Sequence, residues 1–408
     1  MRGPAGAANR IHTRGFTGRW DELTPFELPP AAAVLVGDSA TAVRTVWTHA
    51  TTARETLVAA ASRAEAGLLD ALREAGLAIV EAGGSEILRV APPTVEREAN
   101  PGRLWLLTSG STGRPKQVAH TLDSLTTVRG DQPPRTWLCP YTPGAYAWWQ
   151  VVTLSLRLPG QNVVFVESDQ LDEWPDLALE QGVTAASGTP TFWRQALMRS
   201  GTTLAQVPLE QITLGGEPVD QGILDKLAEV FPNARISWIY ASSEAGASIA
   251  VHDGSAGFPK AWLDRESPDR PKISVVDEEL VLASNFRAEG IDAVLHTGDR
   301  VEFHDDRVLI TGRIASDEIN VGGSKASASK VRSVLLTHPA VAWAAVRGRK
   351  APLVGTMVVA DVVLQEGQQV DEAELVRHCA GQLADYAVPR RVRILDSIPI
   401  KESLKSDV

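Results

Sequence analysis

Thr108-Ser109-Gly110-Ser111-Thr112-Gly113-Arg114-Pro115-Lys116 is where this sequence most plainly carries chemistry. Seven of the nine residues are hydroxyl-bearing, glycine or proline. The run follows the apolar Leu104-Trp105-Leu106-Leu107, which reads as a buried strand. Four hydroxyls and two glycines place donors and bare backbone around one point, and Lys116 adds a mobile positive charge. Such a set suits the wrapping of a polyphosphate. It is not the common nucleotide loop ending in glycine-lysine-Ser/Thr, which the chain lacks. An ordinary Ser/Gly turn has the same composition, so the rest of the chain must separate the two.

The elements around the loop alternate. Helical spacing over residues 40–75 predicts one or two helices ending at Gly76, and apolar runs at 77–80, 87–90 and 104–107 read as strands. A helix is expected over 119–129 and a strand over 162–166. Then come a strand at 184–187, a helix at 190–199, a strand at 211–214, a helix at 221–230 and a strand at 236–240. Strand and helix taking turns imply an α/β fold, its mostly parallel sheets flanked by helices. From 272 to 310 short strands and tight turns suggest a small β unit. Residues 311–317 are mostly polar and read as a linker to a small α+β unit, with a helix at 329–337, strands at 341–346 and 354–363, a helix at 371–383 and a last strand at 391–395.

Bulk properties narrow the classes. A chain of 408 residues should divide into more than one unit. A net charge of -10 argues against nucleic acid or an anionic membrane as partner. No apolar run approaches the roughly 20 residues of a membrane span. Cys139 and Cys379 match no metal or redox spacing, and the expected setting is a reducing cytoplasm. The basic N-terminus, without an apolar core, reads as a frayed tail rather than a secretory signal. None of the eight histidines sits at a metal-binding spacing, and His296 reads as a packed neighbour.

Several segments, in order, resemble the adenylate-forming superfamily of acyl-CoA synthetases, peptide-synthetase adenylation domains and luciferases. The opening loop resembles its phosphate-binding signature, Gly215-Gly216-Glu217-Pro218 its adenine-contacting turn, and Tyr240-Ala241-Ser242-Ser243-Glu244 its Tyr-Gly-x-Thr-Glu motif. Thr297-Gly298-Asp299 resembles its ribose-binding motif; Gly312-Arg313 and Gly322-Gly323 resemble its hinge and first C-terminal loop. Pro399 precedes Lys405 by the family's offset for the catalytic lysine. The resemblance covers roughly residues 100–408. It implies a large N-terminal domain at 1–311 with a reduced N-terminal subdomain, a hinge at 312–317 and a mobile C-terminal domain at 318–408.

The resemblance implies ATP and Mg²⁺, with CoA as acceptor and a small acid as substrate. Thr108, Ser109, Gly110, Ser111, Thr112, Gly113 and Lys116 would hold the β- and γ-phosphates; Gly215, Gly216, Glu217 and Tyr240 would face adenine; Asp299 and Arg313 would take the ribose. Glu244 would bind Mg²⁺, Ser243 would reach the α-phosphate, and Lys405 would supply charge at the reacting phosphorus, with Lys401 a competitor. Tyr146, Trp148 and Trp149 are candidates for the acid pocket.

Departures fall elsewhere. Pro143 stands where many relatives have a gating histidine, Gln117 and Leu404 replace glycines, and Lys330 replaces an acid. The short region before the loop tilts the expectation toward a small aromatic acid. Two other functions stay open: an ATP-dependent diazotase that activates nitrite for attack by an aryl amine, and a non-catalytic nucleotide-binding relative. The identity of the acid and the oligomeric state are not legible.

Overall fold

A computed structural model of the chain describes residues 3–108, 116–199, 201–267, 270–284, 287–351, 355–399 and 404–405. Its first layer is a six-stranded sheet built around Ala31–Val36, whose six residues are all buried. That strand pairs in parallel with Glu55–Ala60 on one side and Ala78–Gly83 on the other, and the continuous apolar run is what burial on both faces demands. Helix Ser39–Thr52 begins at Asp38, whose carboxylate accepts the Thr41 N–H at 2.7 Å, and ends at Ala53 in the left-handed conformation. At the edge of this sheet Leu104–Thr108 pairs antiparallel with Lys116–His120.

The second layer is an eight-stranded sheet. Gln161–Phe165, Arg135–Cys139, Ala185–Gly188, Gln211–Gly215 and Arg235–Ser242 run parallel through its middle. Gly246–Val251 returns antiparallel at one edge, with a register shift at Tyr240/Ala241. In such sheets ligands gather at the carboxyl ends of the strands, and there lie Gly215 and Tyr240. A five-stranded antiparallel sheet follows, in which Leu295–His304 pairs with Arg307–Arg313 so that Asp299 stands opposite Arg313. The C-terminal unit has its own core, including Val331, Leu335, Val346, Val358, Val362 and Leu375. It packs a three-stranded sheet against helices Ala328–Leu336 and Glu372–Ala380. Ser327 caps the first of these, accepting the Lys330 N–H.

The structure corrects the sequence reading of the elements in four places. The N-terminus is not a frayed tail: Arg10–Thr13 extends the eight-stranded sheet in parallel with Gln161–Phe165, and Ile11 is fully buried. Asn9 fastens it, donating to the carbonyls of Ser155 at 2.6 Å and Leu158 at 2.7 Å and accepting the Gly160 N–H at 2.8 Å. The helical span over 40–75 is interrupted by the strand Glu55–Ala60, between helices Ser39–Thr52 and Ala66–Glu74. The helix expected over 119–129 is the strand Lys116–His120 followed by one turn, Leu122–Leu125, capped by Thr121. The linker contains a short helix, Ile314–Asp317. Among the described residues no helix is long and apolar enough to cross a membrane.

Candidate active site

Gly216 follows the strand Gln211–Gly215 with φ +85°, a left-handed turn that glycine adopts without penalty. It also leaves room: a Cβ there would lie 3.2 Å from Lys405 Cε. The next residue, Glu217, turns its carboxylate to the start of helix Pro190–Arg199, accepting the Thr191 N–H at 3.0 Å and its hydroxyl at 3.1 Å. Opposite stands Asp299, 8% exposed. It receives the Tyr240 hydroxyl and pairs with Arg313 Nε at 3.1 Å. Arg313 is braced in turn by donating to the Thr297 carbonyl at 2.6 Å, and Glu279 accepts the Gly298 N–H at 2.8 Å.

These neighbours set the charges. Burial pushes the Asp299 carboxyl up, against the pull of Tyr240, Arg313 and Lys405. The Tyr240 phenol is pushed up by burial and then by Asp299. The lysine itself remains exposed as a residue, while protein crowded around its ammonium lowers its pKa; Arg313 adds to this, and Glu217 and Asp299 oppose it. A lysine lying in the field of two carboxylates and an arginine, beside the Gly216 turn, is poised to accept an anion.

Lys405 is brought here by Leu404. That residue has φ +59°, is 3% exposed within the large domain's core, and accepts the Thr189 hydroxyl on its carbonyl. Lys401 lies outside the described residues. So do Ser109, Gly110, Ser111, Thr112 and Gly113; their flanks, Thr108 and Lys116, face each other across the hairpin. Ser243 and Glu244 sit half-buried on the turn between Arg235–Ser242 and Gly246–Val251. Among the described residues no three His, Cys, Asp or Glu side chains gather as a metal cage. A lone carboxylate such as Glu244 fits Mg²⁺, which takes one or two protein carboxylates and completes its shell with phosphate oxygens and water.

The aromatic candidates separate. Tyr146 opens helix Tyr146–Arg157, half-buried, with its ring 6.3 Å from His120. Trp148 and Trp149 are fully buried and pack edge to face at 5.0 Å, so the structure puts them in the core rather than on an open pocket wall. His296 is an exposed side chain bonded to Glu279 at 2.9 Å rather than a packed neighbour. Three residues escaped the sequence reading: Thr189, Thr191 and Glu279 act by holding Leu404, Glu217 and Gly298. No motif marks them.

A family model for the AMP-binding enzyme matches residues 30–281, and one for the AMP-binding enzyme C-terminal domain matches residues 330–405. The chain belongs to the AMP-binding enzyme family, within the adenylate-forming superfamily. It is 28% identical to the fatty acid–[acyl-carrier-protein] ligase ScoC of Streptomyces coeruleorubidus, over 74% of this chain and 65% of that protein. It is also 28% identical to a 2-succinylbenzoate–CoA ligase of Bacillus cytotoxicus, over 74% of this chain and 67% of the relative. The chain thus spans about two thirds of those relatives' length. Among solved structures its fold is similar to the anthranilate CoA ligase AuaEII in complex with anthranoyl-AMP, at 17% identity and TM-score 0.73, covering 98% of this chain and 93% of that one. E. coli MenE with bound OSB-AMS is similar at 20% identity and TM-score 0.70, covering 98% and 94%.

Proposed function

We propose that the chain is an ATP-dependent, AMP-forming ligase that activates a small aromatic acid as its adenylate, releases pyrophosphate and passes the acyl group to CoA. One observation carries the first half: Lys405, on the C-terminal unit, stands over the Gly216 turn among Glu217, Asp299 and Arg313. In the first step a carboxylate oxygen of the acid attacks the α-phosphorus of ATP, and the bond to the pyrophosphate oxygen breaks. Nucleophile and leaving group are both anions, so charge neutralisation and positioning carry the barrier. Lys405 supplies positive charge at the α-phosphate oxygens. Asp299 accepts the ribose hydroxyls, held in place by Tyr240 and Arg313, and Tyr240 offers its ring to adenine. The loop from Thr108 to Lys116 wraps the departing phosphates. Glu244 would hold Mg²⁺, which neutralises phosphate charge when bound.

Support for an aromatic acid comes from the similar proteins named for anthranilate and 2-succinylbenzoate. In the second step the CoA thiolate attacks the acyl carbon and AMP leaves. The similar proteins are named for several acceptors, CoA and acyl-carrier protein among them. The test is therefore a panel of aryl and short-chain acids, with nitrite plus an aryl amine as a separate arm. Each is incubated with ATP, Mg²⁺ and CoA, and AMP and thioester are followed together. Equal amounts of AMP and thioester with an aryl acid are expected; AMP without thioester refutes CoA as acceptor, and AMP only in the nitrite arm refutes the acid.

A further inference from the structure

His120 ends the strand Lys116–His120, just beyond the phosphate loop, and is 1% exposed. Its Nε2 lies 2.7 Å from the carbonyl oxygen of Ser243, a group that only accepts, so Nε2 carries the proton. Nδ1 then accepts from the Ser124 hydroxyl at 2.9 Å. Burial lowers the ring's pKa, with the Ser243 carbonyl, Glu244 and Glu289 opposing, and the neutral form satisfies both contacts. The turn it grips needs a grip. A register shift at Tyr240/Ala241 disturbs the ladder just before Ser243, and at such a bulge regular backbone pairing is lost. A second tie runs alongside through the backbone: Glu289 N–H donates to the Ala119 carbonyl at 3.0 Å and Ala288 N–H to the Glu244 carbonyl at 2.9 Å.

We propose that His120 is a positioning residue for adenylate formation: its Nε2–H bond to the Ser243 carbonyl fixes the Ser243–Glu244 turn to the end of the strand Lys116–His120. This rests on the adenylation reading above. It assigns His120 no proton transfer, because both ring nitrogens are already engaged. The bond fixes where the Ser243 hydroxyl and the Glu244 carboxylate stand relative to the strand that leaves the loop at Lys116.

Two substitutions separate positioning from packing. His120→Gln extends an amide N–H to the place of Nε2 and keeps the bond to Ser243. His120→Asn reaches only the place of Nδ1, keeps Ser124 as partner and leaves the Ser243 carbonyl without its donor. ATP–pyrophosphate exchange with the preferred acid is measured for both, with the ATP KM, the melting temperature and hydrogen exchange of the peptide covering residues 243–245. His120→Asn should lower kcat by roughly 10- to 100-fold, the cost of displacing positioned groups by about 1 Å. His120→Gln should stay within about 5-fold of wild type, since the donor is retained. The two variants should melt at similar temperatures, and only His120→Asn should speed exchange in the 243–245 peptide. Equal kcat and equal peptide exchange in the two variants overturns the proposal. A wild type that shows no pyrophosphate exchange with any acid overturns the adenylation reading instead, and the hydrogen exchange still decides whether His120 holds the turn.

Discussion

Leu404→Gly tests how the catalytic lysine is seated. Leu404 stands where the resembled family has glycine, and it adopts φ +59°. For a residue with a Cβ that conformation costs about 1–2 kcal/mol. Against this, the side chain is 3% exposed within the large domain's core, and burying a leucine contributes about 1.5–3 kcal/mol. Glycine removes the strain and loses the burial, and it adds about 0.5–1 kcal/mol of backbone entropy to be lost on docking. The balance is a seated state weaker by about 1–2 kcal/mol, or roughly 5- to 30-fold in population. The kcat of acid-dependent pyrophosphate release should fall by that factor, with the ATP KM little changed, because Asp299 and Tyr240 are untouched. Leu404→Ala keeps the positive φ and loses the contact, so it should fall at least as far. A Leu404→Gly enzyme as fast as wild type, or faster, would refute the reasoning: strain relief would then outweigh the contact.

Three further outcomes are expected. Asp299→Asn keeps the shape but weakens charge-assisted acceptance worth about 1.5–3 kcal/mol per bond, so the ATP KM measured by pyrophosphate release should rise on the order of 10²-fold; an unchanged KM removes Asp299 from the ribose. Glu244→Gln should shift the Mg²⁺ concentration for half-maximal rate upward while the protein melts as before; an unshifted Mg²⁺ titration counts against Glu244 as ligand. His49, whose Nδ1–H donates to the Arg54 carbonyl at 2.7 Å, is held by burial at a pKa of about 4. Above the unfolded value of about 6.5 the ring is neutral in both states; as pH falls from there toward 4 the unfolded chain takes the proton first, and about 3 kcal/mol of stability is lost. Melting curves of His49→Gln should be flatter than wild type over that window, and parallel curves would contradict the assignment.

What was legible in the sequence, and what was not, follows from physical locality. Gly216 and Tyr240 stand at or near strand ends, where an apolar run breaks into residues with a positional requirement, and Asp299, inside Leu295–His304, follows the glycine of a Thr-Gly-Asp run that interrupts its strand's apolar pattern. The strand Glu55–Ala60 was hidden because Glu-Thr-Leu-Val-Ala-Ala suits a helix as well as a buried parallel strand, and only its pairing with Ala31–Val36 decides. The same holds for residues 119–129, where the hairpin partner Leu104–Thr108 claims the first residues and Thr121 caps the next turn. Ile11 disappears under a sheet edge that no local pattern reveals. Trp148 and Trp149 look alike in a core and in a pocket wall, because both environments are apolar. His120 left one trace: an imidazole at the end of the otherwise apolar Val118-Ala119, where a buried polar ring must find partners.

The central claim is that Lys405, docked against the Gly216 turn, drives adenylate formation. ATP–pyrophosphate exchange with the best acid of the panel, in wild type and Lys405→Ala, tests it most directly. The account predicts acid-dependent exchange that falls by about 10²–10³-fold in the variant, the cost of removing one preorganised charge contact. Exchange in Lys405→Ala at the wild-type rate would contradict it.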